Sequence, residues 1–331
     1  MMKEYTKASY NSNPNQRELD NLQVAYRAAC EAIVLLENDG ALPLANKKIA
    51  LFGNGASRTI KGGTGSGEVN ERHSVSVLEG LETAGFEITT KDWITEYDAL
   101  YSKEKDEFNK NRFKKAIKEK NILGGFLSDF PGCDARPITE DDISASRTDN
   151  CVYVLSRQAG EGLDRVAEKG DLFITDRERA DISLCAEKYE NFILLINAGS
   201  QLDMKFLQEI NGINAVLFMA QLGTAGGTAV ADTLSGKVNP SGKLTDTWAK
   251  QYADIPYHDQ FSYLNGNLDD EYYHEDIYVG YRYFDSFDVE PAYPFGYGRS
   301  YTDFSVEAET VSIDGTVVTV TATVENTGDK Y

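Results

Sequence analysis

The sequence is poor in the residues that build metal sites and nucleic-acid surfaces. It has 331 residues but only four cysteines and three histidines, with no Cys-x-x-Cys pair. Because zinc takes closely spaced Cys and His ligands, we predict no metal site. Lys and Arg number 33 against 53 Asp and Glu, a net charge of -20. This excess of negative charge argues against nucleic acid or an anionic membrane as partner.

Long apolar runs are also missing. No stretch approaches the about 18 consecutive apolar residues that a membrane span requires, so we expect none. The N-terminal segment MMKEYTKASYNSNPNQ is polar and lacks the apolar region of a signal peptide. Three of the four cysteines lie in apolar runs, where a free thiol behaves as a small apolar side chain. We therefore expect a reducing, cytoplasmic setting.

What the sequence does contain is an alternation of apolar, β-rich runs with helical segments, within a chain that is 41% hydrophobic. Apolar residues at helical spacing predict one amphipathic helix over 17–37. The predicted strands are 49–52, 151–155, 191–196 and 215–219. The further predicted helices are 76–84, 96–120, 176–189, 203–209 and 226–234, and a loop is predicted over 128–148. This alternation predicts an α/β fold with a mainly parallel sheet sandwiched by helices.

The pattern changes in the last quarter of the chain. Residues 257–300 are rich in Tyr, Asp and Gly and predict a long extension. After Ser300 apolar residues alternate with period two, and Asp314-Gly315 predicts a hairpin turn. Because two or three strands cannot bury a sandwich core, we expect this last part to be either truncated or completed elsewhere. We predict three parts: an α/β domain over 1–255, an extension or linker over 256–300, and a truncated β-sandwich over 301–331.

The Gly-rich loops do not match nucleotide-binding or serine-hydrolase motifs. The segment nearest to a P-loop, 236–243, has its Lys one residue too late and is followed by Leu244. After the first predicted strand, Arg58 stands where a dinucleotide-binding loop has its third glycine. No Gly-x-Ser-x-Gly elbow occurs. The sequence therefore disfavours both a nucleotide-binding protein and a Ser-His-Asp hydrolase.

A glutamate between two glycines is the strongest candidate for chemistry. Glu161 lies between Gly160 and Gly162, shortly after the predicted strand 151–155. In an open α/β sheet, ligands bind beyond the carboxyl ends of the strands. Flanking glycines allow backbone angles closed to other residues, so the carboxylate can be aimed at a partner. Taken alone, the same pattern also fits a solvated glutamate near two turn glycines.

Four ordered segments together resemble glycoside hydrolase family 3, the β-glucosidase and β-xylosidase group. They are 61–67 with 78–80, 157–172, 223–244 and 278–301, and their order and spacing agree with the family from about residue 17 onward. The resemblance implies the α/β sandwich of the family's C-terminal type, followed by a fibronectin-III-like β-sandwich. Residues 301–331 match only the beginning of that second part.

The resemblance also implies a function, namely part of a retaining, exo-acting β-glycosidase. Glu161 is then the general acid/base. Ser66 and its neighbours Gly65 and Lys61 are expected to contact the sugar. The residues expected to support the acid/base loop are Arg157, Asp164 and Arg165. Arg165 is either an orienting residue or half of an ion pair that fixes the loop. No cofactor is implied, and the expected substrate is a β-linked glucoside or oligosaccharide.

One departure from the common family layout is large. The barrel that carries the nucleophilic Asp is missing from these 331 residues, and the sandwich comes first, as in a circularly permuted branch of the family. We therefore expect either a chain cut within the fibronectin-like part or a separately encoded half whose partner is the barrel. The chain alone is then inactive. The alternative is a non-catalytic carbohydrate-binding or structural subunit, and the sequence leaves open whether the protein is a homo-oligomer.

Overall fold

The computed structural model describes residues 11–65, 69–118, 130, 132–134, 136–159, 165–260, 266–267 and 269–329. The strands are β1 Val34–Asn38, β2 Lys48–Phe52, β3 Glu87–Ile88, β4 Asn150–Arg157, β5 Asn191–Ala198, β6 Ala215–Phe218, β7 Phe304–Asp314 and β8 Val317–Asn326. The helices are α1 Gln16–Ala32, α2 Val77–Thr83, α3 Lys91–Lys118, α4 Glu140–Ser146, α5 Asp176–Lys188, α6 Lys205–Glu209, α7 Gly226–Leu234 and α8 Tyr281–Ser286.

A six-stranded sheet organises the fold, with strand order β1-β6-β5-β4-β2-β3. All neighbouring strands are parallel except the edge pair β1–β6, which is antiparallel. Strand β4 is buried along its whole length, and β5 is buried after its first residue. Burial on both faces is typical of a parallel sheet covered by helices. The predicted mainly parallel α/β sandwich is confirmed.

The first helix is shorter than the sequence predicts. It begins after Asn15, whose side chain and that of Glu18 form a reciprocal capping box, and it ends at Ala32. The next residues form β1, which pairs with β6 through Val34–Phe218 and Leu35–Leu217. The single helix predicted over 17–37 is therefore wrong beyond Ala32. A continuous apolar run fits a strand and a helix equally well by periodicity, and pairing with β6 decides between them.

Two short helices lie where the sequence predicts irregular chain. Helix α4 falls within the predicted loop 128–148 and is held at its start by a capping box between Thr139 and Asp142. Helix α8 falls within the predicted extension 257–300. Helices of one or two turns carry little periodic signal, so caps and tertiary contacts define them. The longer, charged α3 confirms the predicted helix 96–120 as far as Lys118.

Two glycines bring helices α2 and α7 into backbone contact. A Cβ built on Gly80 would lie 2.1 Å from the Gly227 carbonyl oxygen, and one on Gly227 would lie 1.9 Å from that of Ser76. The amide of Val75 donates to the Thr224 carbonyl at 2.9 Å, which fixes the same junction. This packing ties the end of the long loop after β2 to the start of α7.

The last part of the described chain is the antiparallel hairpin β7–β8. Its strands are joined by Gly315-Thr316, and Gly315 has a φ of 60°. Glycine at the first central position suits a two-residue hairpin loop. The predicted hairpin is confirmed, but its turn lies one residue later than the predicted Asp314-Gly315, because Asp314 pairs with Val317 as the last residue of β7. Side chains of both strands are mostly exposed. The fibronectin-like nature of this part and the three-part division of the chain stay predictions.

No helix in the described ranges is long and apolar enough to cross a membrane. All four cysteines are buried and none forms a disulfide.

Candidate functional site

The carboxyl ends of the parallel strands bring the predicted site segments to one edge of the sheet. Strands β2 and β4 are neighbours, with Phe52 opposite Tyr153. The Gly-rich loop therefore leaves β2 beside the segment that leaves β4 and leads towards Glu161. Residues of both segments line a cleft of about 1000 Å³ at this edge. Ligands of open α/β sheets bind in such crevices.

The structure describes four of the predicted site residues. They are Lys61, Gly65, Arg157 and Arg165. Glu161, Ser66 and Asp164 lie outside the described residues. The described residues before and after these positions show how the two loops are anchored at their ends.

The Gly-rich loop and the segment after β4 are hydrogen-bonded to each other. The Thr64 amide donates to the Ala159 carbonyl at 3.1 Å. The side-chain amide of Gln158 donates to the Gly62 carbonyl at 3.1 Å. The first bond joins residues that lie two positions before Ser66 and two before Glu161, and the second joins residues four and three positions before them. The two candidate loops are thus parts of one hydrogen-bonded unit.

A second set of contacts joins the bases of the same loops. The side-chain amide of Asn54 donates to the Ser156 carbonyl at 3.1 Å and accepts from the Ser156 amide at 2.8 Å. The Gly55 amide donates to the Val154 carbonyl at 3.1 Å. A Cβ on Gly55 would lie 1.9 Å from the Ser156 hydroxyl oxygen. Only glycine permits this approach, which extends the β2–β4 pairing beyond Phe52.

Arg157 is the last residue of β4 and is buried. Its guanidinium makes two bonds to Glu178 on α5, at 2.7 and 2.5 Å, and its Nε donates to the Asp171 carbonyl at 2.9 Å. Burial alone would lower the pKa of Arg157, but the hydrogen bonds and charge of Glu178 outweigh it and raise that pKa. Arg157 therefore stays charged and fixes the start of the segment that leads to Glu161.

Arg165 lies at the other end of that loop and contacts the same residue, Asp171. Its guanidinium forms an ion pair with the Asp171 carboxylate and donates to the Asp171 carbonyl at 3.1 Å and to the Ser200 hydroxyl at 3.0 Å. The amide of Val166 also donates to the Asp171 carboxylate at 2.7 Å. Asp171 thus holds both ends of the segment that contains Glu161.

Lys61 and Glu71 stand on the two sides of the Gly-rich loop and form an ion pair. The Lys61 ammonium also donates to the Val69 carbonyl at 3.1 Å. The hydrogen bond from Lys61 lowers the pKa of the Glu71 carboxyl. Gly65 has a φ of 81°, a backbone conformation that favours glycine. The Lys61 side chain therefore joins the described residues before position 66 to those after position 68.

Several residues at this edge of the sheet were not predicted from the sequence. Asp171 lies in a motif segment, but nothing in the sequence indicates that both arginines contact it. Glu178 is recognisable as the third position of a capping box with Thr175, but not as the partner of Arg157. Asp181 is also buried near the cleft, and burial raises its pKa to about 6. Within the ranges described, no group of three or more His, Cys, Asp or Glu side chains could hold a metal ion.

The fold and this edge define an α/β domain that presents two coupled loops beyond the carboxyl ends of adjacent strands. Sequence comparison identifies the type. Residues 33–301 match the Glycosyl hydrolase family 3 C-terminal domain, and the chain belongs to this family.

Individual relatives agree with this assignment. The chain is 33% identical over 319 residues to β-glucosidase A of Butyrivibrio fibrisolvens, covering 87% of this chain and 36% of the relative. It is 34% identical to a β-glucosidase of Ruminococcus albus, covering 93% of this chain and 31% of the relative. The structure of β-glucosidase 3B from Thermotoga neapolitana with glucose matches at 36% identity and a TM-score of 0.77, covering 94% of this chain and 42% of that one. The chain thus spans about a third of the length of these curated relatives.

Proposed function

We propose that this chain supplies the general acid/base and a sugar-contacting loop to a retaining, exo-acting β-glycosidase of the β-glucosidase type. Glu161 is the acid/base, and Ser66 with Gly65 contacts the sugar. The observation that carries the proposal is the bond from the Thr64 amide to the Ala159 carbonyl, 3.1 Å long. It fixes the spacing of the Ser66 and Glu161 loops, as a shared substrate would require.

The proposed chemistry divides the work between two carboxyl groups. A retaining glycosidase holds them roughly 5–5.5 Å apart across the scissile bond. One attacks the anomeric carbon and forms a covalent glycosyl-enzyme. The other, here Glu161, protonates the departing oxygen and then removes a proton from the attacking water. The nucleophilic carboxylate comes from a barrel domain outside this chain, so the chain alone is inactive.

An acid role requires that Glu161 be protonated before the sugar bond breaks. A neighbouring carboxylate and exclusion of water both raise the pKa of such a group. Cations in the loops would oppose this, but Lys61 and Arg165 are each paired with a carboxylate, Glu71 and Asp171. The pairing supports a role for these cations in fixing the loops rather than in keeping Glu161 ionised.

An exposed apolar surface supports the proposed barrel partner. Residues 272–295 carry a group of large side chains with relative exposures of 39–84%. They are Tyr272, Tyr273, Ile277, Tyr278, Val279, Tyr281, Phe287 and Phe295. Two pairs of these rings are in contact, Tyr278 with Phe287 and Tyr281 with Phe295, and clustered exposed apolar side chains mark sites of protein contact. Because the curated relatives are about three times longer than their match to this chain, we assign the surface to the remainder of a family 3 enzyme.

The first experiment measures turnover of aryl β-glucosides and cellobiose by the purified 331-residue chain, alone and mixed with a family 3 barrel domain. We expect no turnover by the chain alone and activity when a matching barrel is supplied. Turnover by the chain alone would overturn the division of labour. Tight sugar binding without activity in any combination would favour a carbohydrate-binding module.

The second experiment tests Glu161 in the active enzyme that contains this chain. Glu161→Gln should lower kcat/KM on alkyl glucosides, whose leaving groups need a proton, by roughly 10²–10⁴-fold. For activated aryl glucosides, whose leaving groups need little protonation, the rate of the glycosylation step should fall much less. Azide should restore turnover and give a glycosyl azide of retained configuration, because it attacks the glycosyl-enzyme without base assistance. Glu168→Gln, at an exposed carboxylate just beyond the loop, is the matched control. Equal losses on both substrate classes would refute the acid role.

A further inference from the structure

Asn197, near the end of β5, has a side chain whose hydrogen bonds all lead to loops of the candidate site. The residue is 0% exposed. Its Oδ1 accepts from the Ile60 amide at 2.7 Å and from the Ser156 hydroxyl at 2.9 Å. Its Nδ2 donates to the Ile60 carbonyl at 2.9 Å and to the Ala220 carbonyl at 2.7 Å. An asparagine side chain has two donor hydrogens and one oxygen with two lone pairs, so every bonding position is used.

Two of the three partners lie in loops, and the third, Ser156, is the last residue but one of β4. Ile60 immediately precedes Lys61 and the Gly-rich loop, and Asn197 binds both its amide and its carbonyl. Ser156 precedes Arg157 at the start of the acid/base loop. Ala220 follows β6 and has a φ of 47°, which is strained for a residue with a Cβ. Strained backbone persists only where its surroundings hold it, and the bond from Nδ2 is one such restraint.

The central position of β5 explains why this residue can reach all three partners. Strand β5 lies between β4 and β6 in the sheet, and the loop after β2 crosses over its carboxyl end. Only the side chains of asparagine and glutamine provide two donor hydrogens and an oxygen that accepts twice. Glutamine is longer by one methylene group, so asparagine is the one that matches these distances. Aspartate keeps the acceptors and loses both donors. Leucine loses all four bonds and leaves buried backbone groups unpaired.

We infer that Asn197 is a positioning residue that fixes the start of the Gly-rich loop and the start of the acid/base loop relative to each other. It acts through Ile60 and Ser156 and does not touch the reacting atoms. The catalytic part of this inference rests on the proposed function, whereas the structural part can be measured on the chain alone.

The chain provides a matched control at the opposite edge of the same sheet. Asn150, the first residue of β4, is 3% exposed. Its Nδ2 donates to Asn46 Oδ1 at 3.0 Å and to the Lys48 carbonyl at 3.1 Å, and its Oδ1 accepts from Asn191 at 3.0 Å. Asn150→Asp therefore perturbs the core by the same chemistry as Asn197→Asp, but at the amino ends of the strands, away from the loops.

The first test is amide hydrogen exchange on the 331-residue chain. In the wild type, we expect the Ile60 amide to exchange as slowly as the amides of β5, because its acceptor is a fully buried side chain. Asn197→Asp keeps the acceptor of the Ile60 amide but loses the two donors that hold the Ile60 and Ala220 carbonyls. The loop should then open more readily, so Ile60 and Thr64 should exchange about tenfold faster relative to β5. Asn150→Asp should leave their exchange relative to β5 unchanged. Rapid exchange of Ile60 in the wild type would overturn the inference even if no variant folds.

The second test is steady-state kinetics of the active enzyme that contains this chain. Asn197→Asp should lower kcat on alkyl glucosides on the order of 10- to 100-fold, as expected from misplacing a catalytic group by about 1 Å. For activated aryl glucosides, kcat should fall less. Asn150→Asp, compared at a thermal stability equal to that of Asn197→Asp, should keep kcat within about twofold of the wild type. Equal kinetics for the two variants would overturn the catalytic part. If Glu161→Gln lowers kcat/KM equally for alkyl and activated aryl glucosides, the proposed function is refuted. If Asn197→Asp still speeds amide exchange in the loop, the loop-positioning role of Asn197 remains.

Discussion

Arg157 and Glu178 form a buried, two-bond ion pair that joins the end of β4 to the first turn of α5, with N–O distances of 2.7 and 2.5 Å. Both side chains are less than a tenth exposed. Glu178 also accepts from the Thr175 amide at 2.8 Å as part of the capping box. One carboxylate thus caps a helix and neutralises the arginine at the base of the segment that leads to Glu161.

Removing one partner of this pair should be costly. Glu178→Ala leaves the Arg157 charge buried and unpaired, so we expect the free energy of unfolding to fall by about 3–5 kcal/mol. Urea unfolding of the 331-residue chain measures this. The control is Glu87→Ala, at an exposed ion pair with Lys48, which should change stability little. A similar small effect at Glu178 would show that the pair is solvated.

Asp181 should make stability fall as pH rises. It is 4% exposed, and burial raises its pKa to about 6 from an ordinary value of 3.8. Ionisation is therefore harder in the folded state. The stabilising contribution is fully present below about pH 4 and is lost as pH rises through about 6. Asp181→Asn, whose Oδ1 can still accept from the Ile138 amide, removes this dependence.

The measurement for Asp181 is the difference in free energy of unfolding between variant and wild type at several pH values. Between pH 4 and 7 the variant should gain on the wild type by up to about 3 kcal/mol, since one pKa unit corresponds to about 1.4 kcal/mol. Asp141→Asn, at an exposed position on α4, is the control. A difference that stays constant with pH would contradict the burial argument.

Gly80→Ala should destabilise the chain although alanine favours helices. In an open helix the change would stabilise by about 1 kcal/mol. Here the new Cβ would lie 2.1 Å from the Gly227 carbonyl oxygen, so α2 and α7 must separate. We expect a loss of about 1–3 kcal/mol, typical of overpacking. Gly62→Ala, which meets nothing within 4 Å, should be nearly neutral in the same unfolding experiment.

Lys61 and Glu71 should act together if their ion pair closes the Gly-rich loop. In the active enzyme, Lys61→Met and Glu71→Gln should then raise KM for glucosides to a similar extent, and the double variant should be no worse than either single one. A direct contact between Lys61 and the sugar predicts another result. In that case only Lys61→Met raises KM, and the effect of Glu71→Gln adds independently.

The sequence predicts the regular part of this fold well, because burial on both faces leaves continuous apolar runs at β4 and β5. It misplaces the chain where helix and strand share one pattern, as in the apolar run Val34–Leu36 at the start of β1. The hairpin around Gly315 is predictable because its turn chemistry is local, although the turn lies one residue beyond the predicted Asp314-Gly315. The partners of Arg157, Arg165 and Lys61 are not, because nothing in the local pattern shows which acidic residues fold back onto them.

The sequence by itself determined the α/β class, the family and the identity of the residues proposed for catalysis, since periodicity and short motifs are written in neighbouring residues. Only the tertiary structure decided the strand order, the antiparallel edge strand and the role of Asn197. Asn197 is an unremarkable residue at the end of an apolar run until β5 is placed between β4 and β6. Its function then follows from geometry, since a buried amide must satisfy all its hydrogen bonds, and the end of β4 and the loops after β2 and β6 provide the partners.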